Sequence, residues 1–213
     1  MNILVIGATS AIARSISRLY AVKGAKIFLL ARDEERLHES TVDLKLRGAS
    51  DVKALDYNAE NTENHSKIVD AAVQFLGIID IALICHGNLP NQGECQADYR
   101  KAEDTIRVNG LSVISLCTEI VNQLRTQKKG TLVVITSVAG ERGRQPNFIY
   151  GAAKSMVSTY LQGLRGSLLK DNIHIVDVRP GLVDSPMTAH IKKGLLWSSA
   201  ESIAPSIIKG IRK

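Results

Sequence analysis

The chain alternates between short, continuous apolar runs and longer stretches in which apolar residues recur every three or four positions. The runs are Ile3 to Ile6, Lys26 to Ala31, Asp51 to Leu55, Asp80 to Cys85, Thr131 to Thr136 and His174 to Val178. They are rich in Val, Ile and Leu and mostly continuous in hydrophobicity, which predicts strands buried on both faces. Helical periodicity marks residues 11 to 23, 34 to 47, 64 to 76, roughly 99 to 128 as one helix or two, and 148 to 170. A last helix runs from about Ser199 to Ile211, opened by Ser198 with Glu201 three positions on, a capping-box spacing. Pro205 falls inside it and predicts a kink or a later start.

Strand and helix alternating six times over predict an α/β fold: a single doubly wound Rossmann domain over residues 1–213. Its parallel sheet would have six to seven strands in the order 3-2-1-4-5-6, with helices on both faces. No repeat, low-complexity tract or linker interrupts the alternation. The longest irregular stretch is Pro180 to Trp197, and long loops of this kind are functional or disordered.

Composition bounds the rest. The 213 residues are 45% apolar and 23% charged, with a net charge of +6. A chain this long buries roughly 70% of its unfolded surface and needs no disulfides or metal to fold. Cys85, Cys95 and Cys117 are odd in number and form no CxxC or CxxH pair, so neither a disulfide framework nor a metal site is expected. A reducing, cytoplasmic setting follows. No secretory signal leads the chain and no apolar stretch reaches 18 residues, which argues against a membrane span. The positive charge suits an anionic partner or a solvated surface. Only 4% of residues are aromatic and no finger or helix-turn-helix spacing occurs, so nucleic acid is not the expected partner.

The turn after the first strand reads Gly7-Ala8-Thr9-Ser10-Ala11-Ile12-Ala13 and opens the first helix. In this fold such a turn meets a dinucleotide pyrophosphate. Gly7 allows the tight turn, Thr9 and Ser10 can donate to phosphate or cap the helix, and small residues at 11 and 13 allow close approach. The G-x-G-x-x-G pattern itself fails, and the Ala11 methyl is expected to weaken binding without abolishing it. The second strand ends on Ala31-Arg32-Asp33. A site for NAD(H) would carry an acid at that tip, whereas Arg32, helped by Arg14, suits the 2′-phosphate of NADP(H). The alternative for Arg32 is a surface pair with Asp33 or Glu35.

Tyr150 and Lys154 stand four apart on a predicted helix, so phenol and ammonium share a face. A nearby cation is expected to lower the phenol pKa from about 10. Ser137 sits at the tip of the fifth strand, where ligands bind in such sheets. Asn109 lies mid-helix, where asparagine is a poor helix former and needs a reason.

These pieces, in this order, resemble the short-chain dehydrogenase/reductase family over essentially the whole chain. The matching pieces are the Gly7 loop, Asp56 after the third strand, Gly87 after the fourth, Asn109, Ser137, Tyr150 with Lys154, and Pro180-Gly181. The resemblance implies a catalytic tetrad of Asn109, Ser137, Tyr150 and Lys154. It implies a nicotinamide cofactor held by Gly7, Thr9, Ser10, Ala11, Ile12, Arg32, Asp56, Tyr57, Gly87, Asn109, Tyr150, Lys154, Pro180, Gly181, Val183 and Ser185, with Asp56 on the adenine. Three departures stand out: alanines at 11 and 13, Ile84-Cys85-His86-Gly87 in place of the usual Asn-Asn-Ala-Gly, and Ser185 for threonine. His86 either touches cofactor or substrate or is a packed or solvated loop histidine.

The implied reaction is hydride transfer between nicotinamide and a ketone or secondary alcohol, with Tyr150 as general acid and base. The opening Gly7-Ala8-Thr9-Ser10 and the tail from Met187 look like the branch containing decaprenylphosphoryl ketopentose reductases. That likeness implies a keto-sugar substrate, polyprenyl-phosphate-linked in the sharpest version. The substrate loop would span about 182–198, with Lys192 and Lys193 favouring an anionic ligand and Leu195, Leu196 and Trp197 an apolar one. A general carbonyl reductase and a non-catalytic NADP-binding sensor or scaffold are the competing readings. The resemblance also implies a homodimer or homotetramer. Relatives add a seventh strand after the last helix, and this chain reaches Gly210-Ile211-Arg212-Lys213 where that strand should begin. Either the sheet closes at six strands with an exposed edge, or a tail is missing.

Overall fold

A computed structural model of the protein describes residues 1–211. Six parallel strands form the main sheet: β1 (Asn2–Ile6), β2 (Lys26–Ala31), β3 (Asp51–Asp56), β4 (Ile81–Ile84), β5 (Gly130–Ile135) and β6 (Ile173–Val178). Their order is β3-β2-β1-β4-β5-β6, as the alternation predicts. The question of a seventh strand falls at Arg212 and Lys213, outside the described residues.

The continuous apolar runs acquire their reason here. Successive side chains of a strand point to opposite faces. Ile3, Val5, Ile27 and Leu29 enter one core with α1 (Ala11–Ala21), α2 (Glu34–Leu46) and α8 (Ala200–Ile211). Leu4, Ile6, Phe28 and Leu30 enter the other with α3 (His65–Leu76), α6 (Ser112–Gln127) and α7 (Phe148–Ser167). Both faces are covered, so both parities of the inner strands must be apolar, while the edge strands β3 and β6 leave Lys53 and His174 exposed.

Several elements differ from the periodicity. The segment expected as one or two helices holds α4 (Gln92–Ala97), α5 (Tyr99–Ile106), a π-helical turn at Arg107–Leu111, and α6. Helix α4 is capped by Asn91, whose side chain accepts from the Glu94 N–H at 3.1 Å. The last helix begins at Ala200 and runs through Pro205 without a delayed start. Ala204, Ile207, Ile208 and Ile211 are buried on that helix, and packing outweighs the one hydrogen bond proline removes. Its cap is Ser199, one residue later than expected, with Oγ accepting from the Ser202 N–H at 3.1 Å.

The long irregular stretch is closed at its base. Short strands β7 (Val183–Asp184) and β8 (Ser198–Ser199) pair in parallel, Val183 with Ser198 and Asp184 with Ser199. Between them a 3₁₀ turn at Pro186–Thr188 carries a reciprocal Ser185–Thr188 cap. The stretch is therefore an excursion with both ends pinned. The three cysteines are free and buried, and no cluster of metal-ligating side chains occurs among the described residues. No helix among them is long and apolar enough to cross a membrane.

Candidate active site

The carboxyl ends of β1, β4 and β5 open into a cleft of about 320 Å³. Parallel strands all point their carboxyl ends the same way, so the loops after them converge on one rim. Ser137, Tyr150 and Lys154 meet there. Ser137 follows β5 in extended backbone, and its Oγ accepts from the Ala139 N–H at 3.1 Å. The 3₁₀ turn it opens, Val138–Gly140, lies against α7 because residue 151 is glycine. A Cβ at Gly151 would sit 2.6 Å from the Ala139 carbonyl oxygen. That close approach brings the Ser137 hydroxyl to face the Tyr150 phenol.

Lys154 lies one turn beyond Tyr150 and is 4% exposed. Its ammonium stands 5.6 Å from the centre of the Tyr150 ring and donates to the Ile135 carbonyl at 3.4 Å. Burial lowers its pKa to about 8, opposed by Cys85 and Asp177. For Tyr150 the expectation of a lowered pKa is overturned: burial raises it, and the Ser137 hydroxyl pulls the other way. Desolvation is the larger of the two effects, so the pKa rises.

Charged Lys154 is a cost to the fold. Its folded pKa lies below the unfolded 10.5, so the unfolded chain binds more protons between about pH 8 and 10.5, and stability rises with pH across that window. Below it the penalty is constant, on the order of 3 kcal/mol. Lys154→Met is expected to raise the melting temperature of dinucleotide-free protein at pH 7 by about 5 °C. The difference should shrink by pH 10. Coincident melting curves at pH 7 would contradict the burial argument.

Asn109 is fully buried in the π-turn. Its amide donates to Asn88 Oδ1 at 2.6 Å and to the Thr105 carbonyl at 3.1 Å, and its Oδ1 accepts from the Asn88 N–H at 3.1 Å. The reason sought for a mid-helix asparagine is thus a π-turn tied to the loop after β4, and π-turns cluster at functional sites. Asn109 does not itself line the cleft.

Gly7, Thr9, Ser10, Ala11, Ile12, Arg32, Tyr57, Gly87, Pro180, Gly181, Val183 and Ser185 all line it. Asp56 does not; its exposed side chain stays at the end of β3 while Tyr57 to Glu60 form the wall. Helix α1 starts at Ala11 with no side-chain cap from Ser10 and no acid in its first turn. Its first N–H groups face the cleft unshielded, which suits an anion. Gly7 has φ +78°, and a Cβ there would lie 2.4 Å from the His86 nitrogen, so only glycine lets the turn pack against the loop after β4. These features fit a dinucleotide pyrophosphate.

Two basic residues were read differently from sequence. Arg14 points away, into a crevice beside Ser40 and Asp43, because it lies within α1 on the side facing α2. Arg36, which sequence reasoning passed over, lines the cleft one turn into α2. Its signal was Asp33, which caps α2 by accepting from the Arg36 N–H at 3.0 Å and so orients that first turn. Arg32 pairs at 3.2 Å with Glu60, not with Asp33 or Glu35.

At the other end Leu182, Pro186, Met187, Thr188 and Ile191 line the cleft, with Asn147 beside Tyr150. Lys193 is held by Asp184 at 2.6 Å, Leu195 stands fully exposed, and Leu196 is largely exposed at the edge of a second cleft beside Ile203 and Ile207. His86 also lines the cleft, its ring held by Ser112 at 2.8 Å.

The profile of the short chain dehydrogenase family matches residues 1–195. An uncharacterized oxidoreductase of Mycobacterium tuberculosis is 28% identical over 209 residues, 98% of this chain and 84% of that protein. A Streptomyces violaceoruber protein, provisionally assigned as ketoacyl reductase 1 of the granaticin polyketide synthase, is 31% identical over 202 residues, 93% of this chain and 74% of its own. Among solved structures, a variant actinorhodin polyketide ketoreductase with NADPH superposes with a TM-score of 0.88 at 20% identity, covering 99% of this chain and 90% of the other.

Proposed function

The chain is a member of the short-chain dehydrogenase family, an NAD(P)-binding oxidoreductase, and on that premise we propose that it is an NADPH-dependent carbonyl reductase whose general acid is Tyr150. The observation that carries the reading is the meeting of Ser137, Tyr150 and Lys154 in the cleft that also receives the unshielded end of α1. Residues 1–213 act as one dinucleotide-binding unit with a substrate loop at 182–198.

The dinucleotide, when bound, supplies or accepts the hydride. Negative charge then develops on the substrate carbonyl oxygen. Ser137 and Tyr150 donate hydrogen bonds to it, an oxyanion-hole role worth several kcal/mol. Tyr150 then transfers its proton, and Lys154 would stabilise the phenolate that remains and hold the ribose hydroxyls of the bound dinucleotide. The raised pKa of Tyr150 keeps the proton in place for reduction at neutral pH. Asn109 and Lys154 border the route by which it is replaced, and alcohol oxidation runs through the same groups. Asp56 contributes to the adenine end from the rim.

Arg32 and Arg36 at the mouth supply two guanidinium groups for a 2′-phosphate, which favours NADP(H) over NAD(H). Arg32→Ala and Arg36→Ala are each expected to weaken NADPH binding about tenfold and leave NADH binding unchanged. Fluorescence titration with both cofactors measures this, and a wild-type preference for NADH would overturn it.

For the substrate, the apolar wall from Leu182 to Ile191 suits a ketone with a hydrocarbon part. The exposed Leu195 and Leu196 beside Lys192 favour a lipid-linked, anionic keto-sugar as the sharper reading. NADPH consumption with simple ketones, β-ketoacyl thioesters and lipid-linked keto-sugars separates these; turnover of none of them would sink the reductase reading in favour of a dinucleotide-binding sensor. Assembly through α6 and α7 as a dimer or tetramer, in the cytoplasm, completes the proposal.

A further inference from the structure

Histidine at position 86 stands where the family resemblance places alanine, and its ring makes one polar contact. His86 Nε2 lies 2.8 Å from Ser112 Oγ. The Ser112 hydroxyl is in turn 2.8 Å from the Val108 carbonyl oxygen. A serine hydroxyl has a single hydrogen, and a carbonyl can only accept. That hydrogen therefore goes to Val108, and His86 Nε2 must be the donor to Ser112. The tautomer is fixed with Nδ1 bare, and Nδ1 is buried without a partner.

The chain His86 to Ser112 to Val108 ends in the π-turn. The Ser112 N–H is given to the Arg107 carbonyl five residues back, the π step, while the Ser112 hydroxyl takes the carbonyl four residues back. Two residues from His86, Asn88 holds the same turn through two hydrogen bonds to the Asn109 side chain. The segment His86-Gly87-Asn88 is thus a strap tied to the π-turn at both ends. Between the ties, a Cβ at Gly87 would lie 2.6 Å from Asn109 Oδ1 and 3.5 Å from Lys154 Nζ. The strap therefore runs between the π-turn and the ammonium.

We propose that His86 and Ser112 form a clamp that holds the π-turn against the loop after β4 and so sets Asn109 beside Lys154, making both positioning residues for the reaction. Burial and the positive charges of Lys154, His65 and Arg32 lower the His86 pKa to about 3, so the ring stays neutral and Nε2 stays protonated. The role in turnover rests on the reductase reading; the clamp itself does not.

The test uses Ser112→Ala, His86→Ala, their double variant, His86→Gln and His86→Asn in the full chain. Gln places an amide nitrogen where His has Nε2, and Asn places its amide where His has Nδ1. Amide hydrogen exchange over residues 105–113, read without dinucleotide, is expected to quicken about tenfold in Ser112→Ala and in His86→Ala. The double variant should exchange no faster than either single one, and His86→Gln should return to the wild-type rate while His86→Asn does not. With a β-ketoacyl thioester or any ketone that turns over, kcat should fall about 10- to 100-fold in the two Ala variants, with NADPH affinity nearly unchanged and Gln again restoring it. Unchanged exchange in Ser112→Ala, or additive effects in the double variant, would overturn the clamp. Rescue by Asn and not Gln would overturn it too, because the bare Nδ1 would then be the working atom. Exchange needs no substrate, so wild-type inactivity on every carbonyl probe sinks the reductase reading and leaves this test intact. A folded His86→Gln keeps the test decisive even if Ser112→Ala does not fold.

Discussion

Tyr150→Phe is expected to lower kcat by about a thousandfold or more while NADPH still binds. The substitution removes one oxygen and nothing else. The ring of residue 150 stays packed beneath the Lys154 ammonium, 5.6 Å away, so the helix face that builds the site is preserved. What disappears is the group that, in the proposed mechanism, donates to the carbonyl oxygen and then transfers the proton, and no other acid takes its place. The Ser137 hydroxyl would have to become the acid with a far higher pKa, and Lys154 lies toward the Ile135 carbonyl. Dinucleotide affinity should change little, because the proposed pyrophosphate site is at the other end of the cleft, at Gly7 and the start of α1. Stopped-flow NADPH oxidation measures the first effect and fluorescence titration the second. A variant that keeps more than about a tenth of wild-type kcat would remove Tyr150 from the mechanism.

Gly7→Ala should cost at least about 3 kcal/mol of stability and lower the melting temperature by about 10 °C. The added Cβ would stand 2.4 Å from the His86 nitrogen, 2.7 Å from its Cα and 2.8 Å from the Cys85 carbonyl carbon. All three are backbone atoms of the loop after β4, pinned by the sheet on one side and by Ser112 on the other. No side chain can rotate out of the way, and φ is +78° besides. Ala11 makes the contrast. It begins α1 in helical backbone, where a methyl carries no strain, and the loop keeps its shape without the second glycine. Since Gly7 also shapes the turn proposed to hold the pyrophosphate, NADPH binding should fall with stability. A Gly7→Ala protein melting within about 2 °C of the wild type would mean that the two loops are not in contact as described.

Much of this molecule could be read along the chain. Strand positions were legible to within a residue or so, since both faces of the inner strands enter a core and keep them apolar, while the edge strands β3 and β6 still alternate buried Val52 and Ile175 with exposed Lys53 and His174. Ser137, Tyr150, Lys154 and the Gly7 turn were legible because a parallel sheet sends every strand's carboxyl end to one rim, so motif order alone implies convergence. Other features had weak local signals. Helix α4 is six residues with one cap, too short for periodicity. The β7–β8 pair depends on two segments meeting across an intervening loop.

What the sequence determined by itself is therefore the alternation, the topology it implies and the residue types delivered to the cleft. Tertiary structure alone decided how those residues are set. It turned Arg14 away and brought Arg36 in, gave Arg32 to Glu60, and made burial rather than Lys154 control the Tyr150 pKa. It also tied His86 to Ser112 and Asn88 to Asn109. The physical reason is range. Periodicity and motif order follow from forces acting along one chain segment, whereas desolvation, ion pairing and the direction of a hydrogen bond depend on whichever distant segments fill the same few ångströms.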